Sequence, residues 1–225
     1  KSNLIPHTIK RQGQDYHSET TDTGFASATG IRKLLGNESS ENLSALKSQI
    51  APAAFDLTKD FLSQSPLTED DFSMLLRYKL LTENRAKLTE YFGVNKELSN
   101  RIYKHLNEFE SFSSFADQLK TKNITRTAIN RALLHILLDI KASDVQEVTK
   151  RGCVNYIRVL GFRKEAAGLL KEFSDIPEIP LITNLSAAPV LCEIDIKADQ
   201  IYQMCASQTY GVPYQNEYQR KMLVV

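Results

Sequence analysis

The sequence is short of cysteine and contains no long apolar run. Its three cysteines, Cys153, Cys192 and Cys205, are widely spaced and form no CxxC pair. This pattern supports neither a disulfide framework nor a zinc site, so we expect no metal centre. The longest apolar cluster, residues 132–140, is interrupted by a histidine and an aspartate and falls short of the roughly 18 residues of a membrane span. A transmembrane role is therefore not expected, and a reducing, cytoplasmic location is.

The chain also lacks an excess of charge of either sign. Its 28 Lys and Arg residues face 27 Asp and Glu residues, which leaves a net charge of +1. No global basic field indicates nucleic-acid binding, so any RNA contact must come from a local patch. The length of 225 residues and the hydrophobic fraction of 42% are sufficient for one large domain or two modest ones.

Glycine and proline are almost absent from residues 40–140, where apolar residues recur every three or four positions. This pattern predicts a stack of helices. The predicted helices are 85–92, 96–109, 113–119 and 125–140, preceded by one that follows an acidic opening at 68–71. Elsewhere the sequence predicts a strand at 5–11, a helix from Ser27, a β-rich run at 153–161, a helix at 163–173 and a strand at 181–183. We therefore expect a mainly α fold in three parts: a strand–loop–helix (1–36), a helical bundle-like domain (37–150) and a small α/β unit (151–225).

Two basic segments near the start are candidates for phosphate binding. Ser27 lies at a predicted helix N-terminus, where unpaired N–H groups attract an anion, and Arg32 follows one turn later. Lys10 and Arg11 end the predicted strand, and strand ends are where open α/β sheets bind nucleotides. An ordinary helix start and a solvated strand edge fit the same residues.

The same segments resemble part of a known family. TIKRQGQDYH (8–17) and ASATGIRK (26–33) are similar to the end of the Rossmann-like nucleotidyltransferase domain in the tRNA(Met) cytidine acetate ligase family. Further segments follow in the family's order, and together they are more specific than any one of them. They are LLRYKLL (75–81), LSNRI (98–102), LKTK (119–122), TRTAINRALLHILL (125–138) and YIRVLGF (156–162).

The resemblance implies an enzyme that joins acetate to ATP, with Mg²⁺, as acetyl-adenylate. The acetyl group would then pass to the exocyclic amine of the wobble cytidine in elongator tRNA(Met). By position, the implied ATP-binding residues are Lys10, Arg11, Ser27 and Arg32. The resemblance also implies that residues 1–36 are the end of the nucleotidyltransferase domain and that residues 37–150 are a tRNA-binding domain.

One motif of the superfamily is missing. The HxGH phosphate-binding motif occurs nowhere, because the four histidines are not so spaced. Since those histidines stabilise charge on the transferring phosphate, we expect a C-terminal fragment that does not adenylate acetate by itself. No catalytic residue can be assigned.

A local basic cluster supplies the candidate tRNA-binding residues. Lys120, Lys122, Arg126 and Arg131 lie close together in the sequence, and Arg126 shares a predicted helix face with Asn130. The opposite, apolar face can pack while the basic face meets phosphates, although a merely solvated face fits as well. The residues of that apolar face are Ile129, Leu133, Ile136, Leu137 and Ile140.

Alternative interpretations of two residues and of the function of the chain stay open. Tyr156 and Arg158 could stack on a base, or Tyr156 could belong to the core. A noncatalytic helical RNA- or protein-binding module fits the near-zero charge and the missing motif. The tail of a pantetheine-phosphate or nicotinate-type adenylyltransferase shares the Ser-to-Arg element but would lack the long helical region. An HxGH segment upstream in the gene would favour the ligase.

Overall fold

The computed structural model describes residues 5–10, 26–35, 40–62, 67–174, 179–185, 192–211, 213–214 and 216–225. The chain divides into two compact units, residues 1–66 and 67–225. Helices dominate the described residues of both units. The expectation of a mainly α fold is confirmed.

The helices and strands follow in a simple order. The first unit contains α1 (Ala28–Leu35), α2 (Ser40–Gln49) and α3 (Pro52–Leu62). The helices of the second unit are α4 (Ser73–Thr82), α5 (Lys96–His105), α6 (Phe112–Leu119), α7 (Arg126–Leu138), α8 (Ala142–Lys150), α9 (Ala167–Ser174) and α10 (Glu193–Tyr210). Its strands are β1 (Ile157–Arg158), β2 (Gly161–Phe162), β3 (Leu181–Ile182) and β4 (Leu223–Val224).

In the first unit, the prediction of a strand at 5–11 is wrong for residues 5–10, and residue 11 lies outside the described residues. Residues 5–10 form no regular secondary structure. A strand is held by backbone hydrogen bonds to a partner, and no described segment pairs with residues 5–10. The predicted helix after Ser27 is present as α1, which packs against α2. The Ala26 N–H donates to Gln49 Oε1 at 2.8 Å and ties the start of α1 to the end of α2.

The second unit contains a main apolar core. It lies between α4, α5, α6 and α7, and its central side chains are almost fully buried. Each such side chain contributes about 1.5–3 kcal/mol relative to exposure. The largest of them are Leu76, Tyr91, Leu98, Ile102, Phe112, Phe115, Leu119, Ile129, Leu133 and Ile136.

Side-chain caps decide where these helices begin. Asn95 accepts the Leu98 N–H at 2.8 Å and starts α5. Thr125 accepts the Ala128 N–H at 3.2 Å and starts α7. Such caps satisfy N–H groups that the first turn of a helix leaves unpaired.

The structure shortens several predicted helices. The helix predicted at 85–92 is a 3₁₀ turn at Arg85–Glu90, and α5 passes into another 3₁₀ turn before residue 109. Helix α7 ends at Leu138 rather than residue 140 because Asp139 takes a left-handed conformation, with φ +60°. The Asp139 N–H then pairs with carbonyls of the last turn of α7, which is a common way to close a helix.

The C-terminal part contains short parallel strand pairs. β1 pairs with β3, and β2 pairs with β4, in two separate sheets. The predicted β-rich run and the predicted strand at 181–183 are therefore present, but each strand is two residues long. Helix α10, the longest among the described residues, was not predicted.

Candidate functional site

Ser27 forms the N-terminal cap of α1. Its Oγ accepts the Gly30 N–H at 3.0 Å, and its carbonyl accepts the Ile31 N–H at 3.0 Å. The residue is 1% exposed, so the hydroxyl is committed to organising the helix start. Arg32 is exposed on the same helix.

Lys10 is an exposed residue of the first unit. Arg11 lies outside the described residues. The structure thus places Ser27 and Arg32 on one helix, as the sequence indicates, but gives no geometry for the pair Lys10 and Arg11.

The basic cluster begins at the turn between α6 and α7. Lys120 and Lys122 are both exposed there. Thr121 Oγ1 accepts the N–H groups of Asn123 and Ile124, each at 3.2 Å. These bonds order the turn that carries the two lysines.

Arg101 fastens the end of α6 to α5. Its guanidinium donates to the Leu119 carbonyl at 3.0 Å and to the Gln118 carbonyl at 2.6 Å. Carbonyls at a helix C-terminus carry partial negative charge and lack partners within the helix. Arg101 satisfies them, and the turn bearing Lys120 is thereby held against α5.

Arg126 is tied to its neighbours more strongly than the sequence suggests. It donates to Asp117 Oδ1 at 2.6 Å and to Asn130 Oδ1 at 3.1 Å, and it forms an ion pair with Glu69. Asn130 also donates to Glu69. The guanidinium therefore joins the 3₁₀ turn at Glu69–Phe72 to α6 and α7, with its side chain 30% exposed.

The predicted arrangement of α7 is largely confirmed. Four of its five expected core residues are buried, and Ile140 is half-buried. Arg131 is exposed. Hence Lys120, Lys122 and Arg131 present their charges to solvent, whereas the charge of Arg126 is balanced by two carboxylates.

Tyr156 and Arg158 have structural partners. Tyr156 packs against a small apolar cluster that includes Ile182 and Cys192. Arg158 forms an ion pair with Glu217, whose side chain is 2% exposed and also pairs with Arg220 at 2.6 Å. The Arg158 guanidinium is therefore held by a buried carboxylate, and the packing of Tyr156 fits its interpretation as a core residue.

A second charged network joins α4, α7 and α10. Lys79 and Lys197 each donate to the Asp139 carboxylate, at 2.6 Å and 2.5 Å. Partial burial alone would raise the pKa of Asp139, but the hydrogen bonds from these lysines lower it to about 2. The hydrogen bond from Tyr91 lowers the pKa of Glu83 to about 2 as well. The network borders a cavity of about 540 Å³ between α8 and α10.

No group of three or more His, Cys, Asp or Glu side chains among the described residues is arranged to hold a metal ion. The described helices also include none that is long and apolar enough to cross a membrane.

Comparison with known proteins identifies the family. Residues 1–217 match the HIGH nucleotidyl transferase family. The chain belongs to this family. The match covers both units, so the resemblance seen in the short motifs extends over nearly the whole chain.

Curated relatives of this chain carry a more specific name. The tRNA(Met) cytidine acetate ligase of Halothermothrix orenii is 30% identical over 98% of this chain and 53% of its own length. The enzymes of the same name from Lysinibacillus sphaericus and Bacillus subtilis are each 32% identical, over 92% and 89% of this chain. The chain spans about half the length of the curated relatives it matches.

Solved structures support the fold. Thermotoga maritima TmcAL in its apo form superposes with a TM-score of 0.83 at 21% identity, over 100% of this chain and 56% of that chain. A second TmcAL structure, bound with alpha-thio ATP, gives a TM-score of 0.76 at 19% identity, over 89% of this chain and 52% of that chain.

Proposed function

We propose that this chain is part of an ATP-dependent ligase that acetylates the wobble cytidine of elongator tRNA(Met) to N4-acetylcytidine. The observation that carries the proposal is the match over nearly the whole chain to relatives named tRNA(Met) cytidine acetate ligase. Acetate would first be activated as acetyl-adenylate, with Mg²⁺ on the ATP phosphates. The reaction would take place in the cytoplasm, where the tRNA is found.

In this proposal the second unit supplies a tRNA-binding surface. Lys120, Lys122 and Arg131 are exposed cations that can neutralise phosphates and release counterions. Arg126 uses three of its N–H groups on Asn130, Asp117 and Glu69. Its remaining N–H groups can reach a phosphate, with a smaller contribution because its charge is already paired.

The first unit would supply one wall of the ATP site through Lys10, Arg11, Ser27 and Arg32. The ATP analogue bound by Thermotoga maritima TmcAL supports the choice of nucleotide. Ser27 would act by holding the start of α1, and Arg32 by contacting phosphate. Because the chain has no HxGH motif, we expect it to bind ATP weakly and to form no acetyl-adenylate by itself.

The tRNA-binding part can be tested with the chain as it stands. Affinity for elongator tRNA(Met) should fall steeply with salt, and Lys120→Ala/Lys122→Ala should flatten the slope of log affinity against log salt by about one to two units. The matched control is Lys150→Ala/Lys164→Ala, which removes two exposed lysines from other parts of the second unit. Equal effects of the two double variants would refute a specific surface.

The enzymatic part requires the full-length gene product. It should form AMP and N4-acetylcytidine in the presence of ATP, acetate and tRNA(Met). Arg32→Ala should raise the activation free energy of the ATP-dependent steps by about 1.5–3 kcal/mol, the range for a hydrogen bond to a charged group. Acetate-independent AMP formation, or no acetylated cytidine, would contradict the proposal.

A further inference from the structure

An exposed aromatic ring with a guanidinium stacked on it lies at α5. Tyr103 is 53% exposed, and the Arg85 guanidinium carbon is 4.3 Å from the centre of its ring. Arg85 Nη2 also donates to Asn100 Oδ1 at 3.2 Å. The Arg85 guanidinium is therefore held by both Tyr103 and Asn100 before any ligand binds.

The orientation of α5 is fixed by its opposite face. Leu98, Ser99 and Ile102 are buried against the core, which leaves Lys96, Asn100, Tyr103 and Lys104 on the outside. Positions three, four, seven and eight apart lie on one side of a helix. The ring, the amide and the two ammonium groups consequently share one surface.

The surface has an excess of positive charge. Arg85, Lys96 and Lys104 are exposed, and none of them forms an ion pair with a residue that the structure describes. The single carboxylate on this face of α5 is that of Glu97. A polyanionic partner therefore matches this surface better than a partner that offers apolar side chains.

The helix that carries this surface is bonded to the element that carries Lys120. Arg101, at the side of α5, holds the last carbonyls of α6, and Lys120 follows directly at the C-terminal cap of α6. The Tyr103 surface and the turn bearing Lys120 thus lie on elements that are bonded to each other.

We propose that this α5 surface binds an unpaired RNA nucleotide. The base would stack on Tyr103 beside the Arg85 guanidinium, and Lys96 and Lys104 would contact the flanking phosphates. Unpaired bases are recognised by stacking on aromatic rings and guanidinium planes, which the bases of a duplex cannot reach. The Asn100 amide nitrogen is placed to donate to the edge of the base. The identity of the RNA as tRNA rests on the proposed function, whereas the preference for unpaired nucleotides follows from the surface itself.

The test compares a single-stranded oligoribonucleotide with a blunt RNA duplex of the same length, each labelled for fluorescence anisotropy. Tyr103→Ala should weaken single-strand binding about 5- to 100-fold, the effect of losing one base stack, and should leave duplex binding unchanged. Tyr103→Phe keeps a ring and should retain most of the affinity. Because Tyr103 is exposed, its replacement should leave the thermal unfolding midpoint unchanged, and circular dichroism checks this.

Tyr78 provides the matched control. It is another exposed tyrosine, 68% exposed on α4, with no cation recorded over its ring among the described residues. Tyr78→Ala should leave single-strand affinity unchanged. Equal losses in the two alanine variants, or no preference of the unmutated chain for single strands, would overturn the proposal.

The two proposals fail in different ways. If Lys120 and Lys122 govern tRNA affinity while Tyr103→Ala has no effect on any RNA, the stacking site is refuted and the proposed tRNA surface stands. If Tyr103→Ala weakens single-strand binding but the full-length protein acetylates no tRNA, the stacking site stands and the proposed function is refuted.

Discussion

At the scale of single residues, Arg126 shows how a partner decides the role of a side chain. From the sequence it is one of four cations in a basic cluster. In the structure it is bonded to Glu69, Asp117 and Asn130, whereas Arg131 on the same helix is exposed. Two arginines five positions apart are therefore expected to respond differently to replacement.

Arg126→Ala should lower the free energy of unfolding by about 1 kcal/mol, because it removes two partly exposed ion pairs and a side-chain hydrogen bond. Arg131→Ala should leave stability unchanged and weaken tRNA binding more than Arg126→Ala does. Urea denaturation measures the first effect and a binding titration the second. The reverse order of the two variants in either assay would contradict this assignment.

Residues that act locally could be predicted from the sequence, and residues that act at long range could not. The cap at Thr125 and the helix start at Ser27 follow from local hydrogen-bonding preferences. Glu69 and Glu217 pair with arginines far along the chain, and a single sequence contains no signal for such pairs. The Arg85 and Tyr103 stack was missed for the same reason.

At the scale of secondary-structure elements, the pairing of β2 with β4 depends on a glycine. A Cβ on Gly161 would lie 2.7 Å from the Leu223 carbonyl oxygen and 3.0 Å from the Leu223 Cβ. The backbone of β4 would have to move. Gly168 in α9 offers a contrast, because a Cβ there meets nothing within 4 Å.

Gly161→Ala should therefore destabilise the second unit by about 1–3 kcal/mol, the usual effect of overpacking. It should also speed hydrogen exchange at the Leu223 and Val225 amides, which donate to the Leu160 and Phe162 carbonyls at 3.0 Å and 3.1 Å. Gly168→Ala should stabilise the protein by about 0.5–1 kcal/mol, since glycine is unfavourable within a helix. Unchanged amide exchange in Gly161→Ala would show that β4 accommodates the methyl group.

Helix α10 shows why an element can escape prediction. Its apolar residues form no clear stripe, so the periodicity that indicates α5 and α6 is missing. Its ends do carry signals, with Glu193 and Asp195 in the first turn and Gly211 in a left-handed conformation after the last. Those signals at each end are the ones that could have located it.

At the scale of the whole molecule, the mainly helical fold class was predictable from the sequence. Glycine-poor, periodic stretches are sufficient to indicate a mainly helical protein. The compact units divide after residue 66, and the domain boundaries expected from the sequence, after residues 36 and 150, stay predictions. Helices α2 and α3 are grouped with the first unit through packing of α1 on α2 and of α2 on α3, which composition does not reveal.

Global stability should depend on pH through the network around Asp139. The ordinary pKa values of 3.8 for Asp139 and 4.5 for Glu83 fall to about 2 in the folded protein. Protons therefore bind the unfolded state first as the pH falls, so the stabilisation is complete above about pH 4.5 and is lost towards pH 2. Lys79 contributes to both shifts through its hydrogen bonds.

Asp139→Asn tests this dependence, because asparagine tolerates a left-handed backbone and removes the charge. The free energy of unfolding should fall less steeply between pH 4.5 and pH 2 in the variant than in the unmodified chain, as followed by chemical denaturation at each pH. Glu97→Gln, which removes an exposed carboxylate from α5, is the matched control. An equally steep loss in Asp139→Asn would exclude the network as its source.

The pairing of β2 with β4 also bears on how the protein is made. A ribosome adds about 5–20 residues per second, so Gly161 and Phe162 leave the exit tunnel seconds before Leu223 and Val224, their partners in β4. The core between α4 and α7 needs no residue beyond that segment and can form first. The helical core can therefore fold while β2 is still unpaired. The β2–β4 pair forms only after residues 223–224 have left the ribosome.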